Sequence, residues 1–285
     1  MAQTESTHDS SDESSVAEVS GPTQADRFFF DNNGYLILED FLKEDHVEAL
    51  TEALLRVVAR RRELEEKGIP HTGQTNISGE RSARILYILD DDPLFLEMLD
   101  WPPIMPYVTG LLNQLPHHHS SDAFAEYGSD QLGRGMGWHI DGHDRGYRDL
   151  GTPIPLLQLK IGYYLNDMTA AGQGNIAVVP GSHKASYNPD AEDVKRPDLF
   201  PGAIQICAPP GAAILFHNAL WHSAGPFTNP DGRRLLLYYA YEQPWMVGSH
   251  QHWGYPTDFY NSRLAPEQRK LFHGFLFDPP EVRWG

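Results

Sequence analysis

The tripeptide His139-Ile140-Asp141 and the distant His222 supply two imidazoles and one carboxylate. That donor set can cap one face of an octahedral iron(II) and leave three adjacent positions for a co-substrate and O2. On an extended strand, residues two apart point to the same side, so His139 and Asp141 can reach one ion together. The tripeptide alone arises often by chance. His222 strengthens it, because it sits in Leu220-Trp221-His222-Ser223-Ala224-Gly225-Pro226, just after an apolar strand. Arg233 follows eleven residues later, where a guanidinium can grip the far carboxylate of a keto acid through two hydrogen bonds. It leads into Leu235-Leu236-Leu237-Tyr238-Tyr239-Ala240-Tyr241, and an arginine so near a core needs an anionic partner. Arg234 faces the other way, so only one of the pair points inward, and Arg233 is assigned that position. The set predicts an oxygenase acting on a small organic molecule.

Other candidates carry plainer readings. His117-His118-His119 is metal-like in composition but reads as a solvated loop between Pro116 and a polar turn. His183, in Pro180-Gly181-Ser182-His183, is expected to brace a tight turn. His217 rivals His222 as the second imidazole, and the spacing to Arg233 favours His222. His143, Arg145 and Arg148 follow the ligand pair. The favoured reading is a solvated loop with ion pairs to Asp144 and Asp149; the sharper one is a site for an acidic group of the substrate. Core packing is the default for Trp138, Trp221, Trp245 and Trp253.

The elements that must position these residues can be read from patterning. The 285 residues suit one large β domain with added helices. Residues 1–26 are rich in Ser, Thr, Asp and Glu, with no Lys or Arg, and read as a disordered acidic tail; residues 27–285 form the single expected domain. Phe28 to Leu38 predicts a short helix, a turn at Gly34 and a strand. Val47, Leu50, Leu54, Val57 and Val58 recur at helical spacing and predict a helix from Lys43 to Glu66, stopped by Gly68 and Pro70. His71 to Arg81 reads as a mobile loop that can act as a lid. Short helices are expected at Pro93–Met98 and Ile104–Leu112. From Asp122 the pattern turns to strands: Leu157–Leu165, Asn175–Val179, Ala212–Phe216 and Arg233–Tyr241. Trp245 to Gly285 is expected to wrap the barrel or cover its mouth.

A net charge of -17 argues against nucleic acid and anionic membranes as partners. No run approaches the roughly 20 apolar residues of a membrane span, and no secretory or transit signal opens the chain, so a cytoplasmic protein is expected. Cys207 is the only cysteine, which excludes an intrachain disulfide; it reads as a buried structural residue. Nothing in the sequence indicates an obligate protein partner.

Four segments in order carry a resemblance: WHIDGHD at 138–144, LQLKIGYYLND at 157–167, GNIAVVPGSHK at 174–184 and WHSAGPFTNPDGRR at 221–234. Together with FFFDNNGYLILEDFL near the start, they resemble the phytanoyl-CoA dioxygenase family of iron(II)- and 2-oxoglutarate-dependent oxygenases. The resemblance implies a mainly β fold with flanking α-helices around a double-stranded β-helix, the jelly-roll core. It implies that His139, Asp141 and His222 are the iron ligands and that Arg233 pairs with the distal carboxylate of 2-oxoglutarate. Tyr163 matches an aromatic lining of the co-substrate pocket, and Arg84 a second basic contact to the keto acid. Related halogenases replace the carboxylate ligand with a small residue. Asp141 is present, so the resemblance implies attack on a C–H bond with release of succinate and CO2 rather than halogenation. The same centre also suits desaturation, epoxidation or cyclisation, and a non-catalytic jelly-roll binding protein is the alternative outside enzymology.

Overall fold

The computed structural model describes residues 20–134, 137–141, 147–190, 192, 200–246 and 255–272. Of the expected tail, residues 1–19 lie outside the described residues. The chain is already helical before Arg27: helix α1 spans Gln24–Asn33, with Thr23 and Asp26 capping it reciprocally. Gly34 ends it in the left-handed conformation (φ 81°) and turns the chain into β1, Tyr35–Leu38. Helix α2, Glu44–Glu66, buries Val47, Leu50, Ala53, Leu54, Val57 and Val58 along one stripe, as the spacing predicts. Each fully buried Val or Leu side chain contributes about 1.5–3 kcal/mol. Two short helices follow, α3 at Pro93–Glu97 and α4 at Met105–Leu111.

The remaining strands are β2 (Gln74–Ile77), β3 (Ala83–Leu86), β4 (His117–Tyr127), β5 (Gln158–Tyr164), β6 (Ile176–Val178), β7 (Ile204–Gln205), β8 (Ala213–His217), β9 (His222–Ala224) and β10 (Arg233–Glu242). They form a seven-stranded sheet, β1-β8-β5-β10-β4-β3-β2, and a three-stranded sheet, β7-β6-β9. Every described pairing is antiparallel. The two sheets face each other across Tyr164, Ile214, Phe216, Leu236 and Tyr238 on one side and Ile176, Val178 and Ile206 on the other. This is the expected jelly roll. The large sheet packs its other face, with Leu159, Ile161, Tyr163, Leu235, Leu237 and Tyr239, against the helices. The described part of the C-terminal region joins that helical layer through Tyr255, Phe259, Leu264 and Phe272.

Three expectations are corrected. The stretch expected as a mobile loop contains β2, an edge strand paired with β3. His117, His118 and His119 belong to β4 rather than to a solvated loop, and His117 and His118 are buried. There Glu242 accepts hydrogen bonds from Nδ1 of both His117 and His119, each at 2.9 Å, and these bonds offset the cost of burying polar groups. Cys207 is exposed, because it faces away from the core beside the buried Ile206 and Ala208. Among the described residues, no helix is long and apolar enough to cross a membrane.

Candidate metal centre and co-substrate pocket

His139 and His222 meet through an isolated antiparallel bridge, with each amide donating to the other's carbonyl at 3.1 and 3.0 Å. Their rings lie 4.2 Å apart, centroid to centroid. Two residues on, the Asp141 amide donates to the Asn218 carbonyl at 2.7 Å, which fixes the third member. His139, Asp141 and His222 each present a donor atom within 4.8 Å of the others. Among the described residues, no other group of three or more His, Cys, Asp or Glu side chains converges this way. Asp141 Oδ1 is 3.9 Å from His139 Nε2, and Oδ2 is 3.6 Å from His222 Nε2.

Both imidazoles are oriented by their far nitrogens. Nδ1 of His139 is 2.7 Å from the Gly137 carbonyl, and Nδ1 of His222 is 2.8 Å from the Leu220 carbonyl. A carbonyl only accepts, so each Nδ1 carries a proton and each Nε2 is the atom left to face a metal. Burial, reinforced by His139, pushes the His222 imidazole down to about 3 against the opposing pull of Asp141, so His222 is neutral at physiological pH. Burial alone would raise the Asp141 carboxyl. Lys160, His222 and His139 outweigh it and hold the group well below the usual carboxylate range. Lys160 Nζ lies 3.2 Å from Asp141 Oδ2. The His139 side chain is 52% exposed and that of His222 only 6%, so the cluster opens on one side.

The inner face of the large sheet continues the site. On β10 it carries Arg234, Leu236, Tyr238 and Ala240; opposite them on β4 lie Glu126, Phe124, Asp122 and Ser120. On β5 it carries Lys160, Gly162 and Tyr164. Gly162 is required here, because a Cβ would stand 2.8 Å from the Tyr238 ring. That ring in turn carries the Lys160 ammonium 4.8 Å from its centroid.

Two residues assigned from the sequence do not face the metal cluster in this structure. Arg233 is exposed at the strand end, whereas Arg234 is 3% exposed and turns into the space between the sheets. Tyr163 faces the helical layer, opposite to the metal cluster, and burial pushes its hydroxyl up. Arg84 does face the site: its guanidinium pairs with Asp122 and lies 5.1 Å from the Phe124 ring. His217 belongs elsewhere, beside His183 and Phe30. His183 braces its turn through the Asp31 carbonyl, 3.1 Å away. His143, Arg145 and Trp253 lie outside the described residues, as does the side chain of Arg148. Sequence reasoning missed Arg234, Lys160, Tyr238, Asp122 and Glu126. One signal was present: Gln158 and Lys160 are the polar members of β5, and their parity marks the cavity face that Tyr163 does not share.

Comparison with solved structures returns the same architecture. EctD from S. alaskensis, with 2-oxoglutarate and 5-hydroxyectoine, aligns at a TM-score of 0.59 and 22% identity, covering 78% of this chain and 77% of that one. HygX from Streptomyces hygroscopicus, with nickel, 2-oxoglutarate and hygromycin B, aligns at 0.57 and 21% identity, covering 79% and 88%. The non-heme alpha-ketoglutarate-dependent carbocyclase SnoK from nogalamycin biosynthesis aligns at 0.54 and 21% identity, covering 87% and 95%. At these identities the likeness establishes the fold. A comparison with curated protein sequences gives no match. The family model for phytanoyl-CoA dioxygenase matches residues 30–235, most of the length, and the chain therefore belongs to the phytanoyl-CoA dioxygenase family of non-haem iron, 2-oxoglutarate-dependent oxygenases.

Proposed function

We propose that this chain hydroxylates an unactivated C–H bond of a small organic substrate, with His139, Asp141 and His222 holding iron(II) and Arg234 holding the distal carboxylate of 2-oxoglutarate. The observation that carries the reading is the convergence of two imidazole Nε2 atoms and one carboxylate within 4.8 Å, open on one side. Two borderline nitrogens and one hard oxygen suit iron(II). Arg234 fits a keto diacid because its Nε is buried without a partner among the described residues. Such an orphan donor is costly unless a ligand satisfies it.

The bound iron and co-substrate supply the oxidising power, with O2 consumed and succinate and CO2 released. The protein's own groups orient and insulate. The Gly137 and Leu220 carbonyls hold the imidazoles in the metal-binding tautomer. Lys160, 3.2 Å from Oδ2 and 3.4 Å from Oδ1 of Asp141, holds that carboxylate in its charged form. Tyr238, Phe216 and Leu236 exclude water from the buried end of the pocket. The 2-oxoglutarate bound to EctD and HygX supports the same co-substrate here.

The test is an anaerobic titration of iron(II) and 2-oxoglutarate into the apoprotein, following the weak visible charge-transfer band of the chelate. The band should form in the wild type, vanish in His139→Ala and need far more 2-oxoglutarate in Arg234→Gln. A folded wild-type protein that gives no band at saturating iron and keto acid would sink the proposal. A substrate screen by succinate release then follows.

A further inference from the structure

Arg234 already has an anionic neighbour. Glu126 stands directly opposite it in the β10–β4 register, and Arg234 Nη2 lies 2.5 Å from Glu126 Oε2. Nη1 donates to the Gly174 carbonyl at 3.1 Å, and the guanidinium stacks 4.9 Å from the Phe124 ring. Only Nε is left without a partner among the described residues. The guanidinium therefore presents one free edge, and that edge shares Nη2 with Glu126. A carboxylate received there in bidentate fashion comes to rest beside a second carboxylate. Like charges at that separation, out of bulk water, repel appreciably. The neighbouring cation, Arg84, is itself paired with Asp122 and does not offset the surplus negative charge.

We infer that Glu126 is a resident competitor for the co-substrate: it neutralises buried Arg234 in the empty enzyme and weakens the grip on the distal carboxylate of a keto diacid. The inference rests on the reading of Arg234 as the co-substrate clamp. A buried guanidinium needs an anion at all times. Glu126 meets that need before the co-substrate arrives, and the co-substrate must then share the guanidinium with it. Glu126 sets affinity through charge rather than by shaping the pocket, since its carboxylate approaches from the neighbouring strand and leaves Nε open.

The test compares Glu126→Gln with the wild type. The amide keeps the length and one acceptor for Nη2 but removes the charge. Anaerobic titration of 2-oxoglutarate into the iron(II)-loaded protein should give a Kd about ten-fold lower in Glu126→Gln, equivalent to about 1.4 kcal/mol. Affinity for 2-oxopentanoate, which lacks the distal carboxylate, should not change, nor should Mn(II) affinity. The apoprotein should melt at a lower temperature, and 2-oxoglutarate should raise its Tm by more than in the wild type. An unchanged or weaker 2-oxoglutarate Kd in folded Glu126→Gln overturns the inference, as does an equal gain for 2-oxopentanoate. Should Glu126→Gln not fold, Glu126→Asp withdraws the charge by one carbon and must show a gain of at least three-fold; no gain there overturns the inference too. Arg234→Gln separates the two levels. If it leaves 2-oxoglutarate affinity intact, the clamp reading fails. If it weakens binding while Glu126→Gln has no effect, only the role of Glu126 fails.

Discussion

Arg234 is buried and ion-paired, whereas Arg233, one residue away, is exposed. Removing one member of a buried, hydrogen-bonded charge pair costs about 2–5 kcal/mol. Arg234→Gln should therefore raise the 2-oxoglutarate Kd at least 30-fold in the iron(II)-loaded protein, and Arg233→Ala should change it less than two-fold. A larger effect at Arg233 would show that the strand is turned over in solution. Spacing from His222 could not decide between the two. The strand from Leu235 to Tyr241 is apolar on both faces, so its alternation marks no cavity side. The metal cluster was more legible, because both members of the HxD pair act through one local geometry. His222 required a non-local bridge to His139, and only its place after an apolar strand announced it.

At the scale of elements, Arg61 ties α2 to the β2–β3 hairpin. It is 1% exposed and pairs with Asp91, and its guanidinium donates to the carbonyls of Gln74, Leu86 and Tyr87 at 3.0, 2.9 and 3.3 Å. Arg61→Ala leaves Asp91 and three carbonyls without this donor. It should destabilise the protein by about 3–5 kcal/mol in urea unfolding, whereas Arg56→Ala, whose side chain is 61% exposed in its pair with Asp92, should cost at most about 1 kcal/mol. Equal costs would mean that the buried pair contributes nothing beyond a surface contact. Nothing in the sequence set Arg61 apart from Arg60 and Arg62 except its place on the apolar stripe of α2. Strand β2 was hidden for a related reason. Gln74-Thr75-Asn76-Ile77 has no buried face and owes its conformation to pairing with β3. The histidines of β4 misled because the acid that compensates their burial, Glu242, lies at the far end of another strand. Helix α2, by contrast, needed only its own periodicity.

For the whole molecule, the buried histidines His217 and His222 contribute to the acid side of the stability curve. Burial, with His183 close by, pushes His217 down to about 3, and burial pushes His222 to about the same value. An unfolded histidine titrates near 6.5. Between about 6.5 and 3 the unfolded chain binds more protons at these sites than the native protein, so stability rises with pH in that window and falls on acidification. Asp141 acts lower: its carboxyl is depressed in the fold, so its contribution is complete above the unfolded carboxylate range near 4 and is lost only below it. From pH 7 to 4.5, each buried histidine should thus cost the metal-free protein about 2–3 kcal/mol, two pH units at 1.36 kcal/mol each. His217 is the one to test, because it lies away from the metal cluster and its Nδ1 accepts from the Ala219 amide, 2.9 Å away. His217→Gln can keep that bond through its side-chain carbonyl while removing the titration. Its Tm should fall less steeply than the wild type's from pH 7 to 4.5, with the two curves converging toward the acid end. Parallel curves would mean that His217 stays protonated in the fold or opens to water before it titrates.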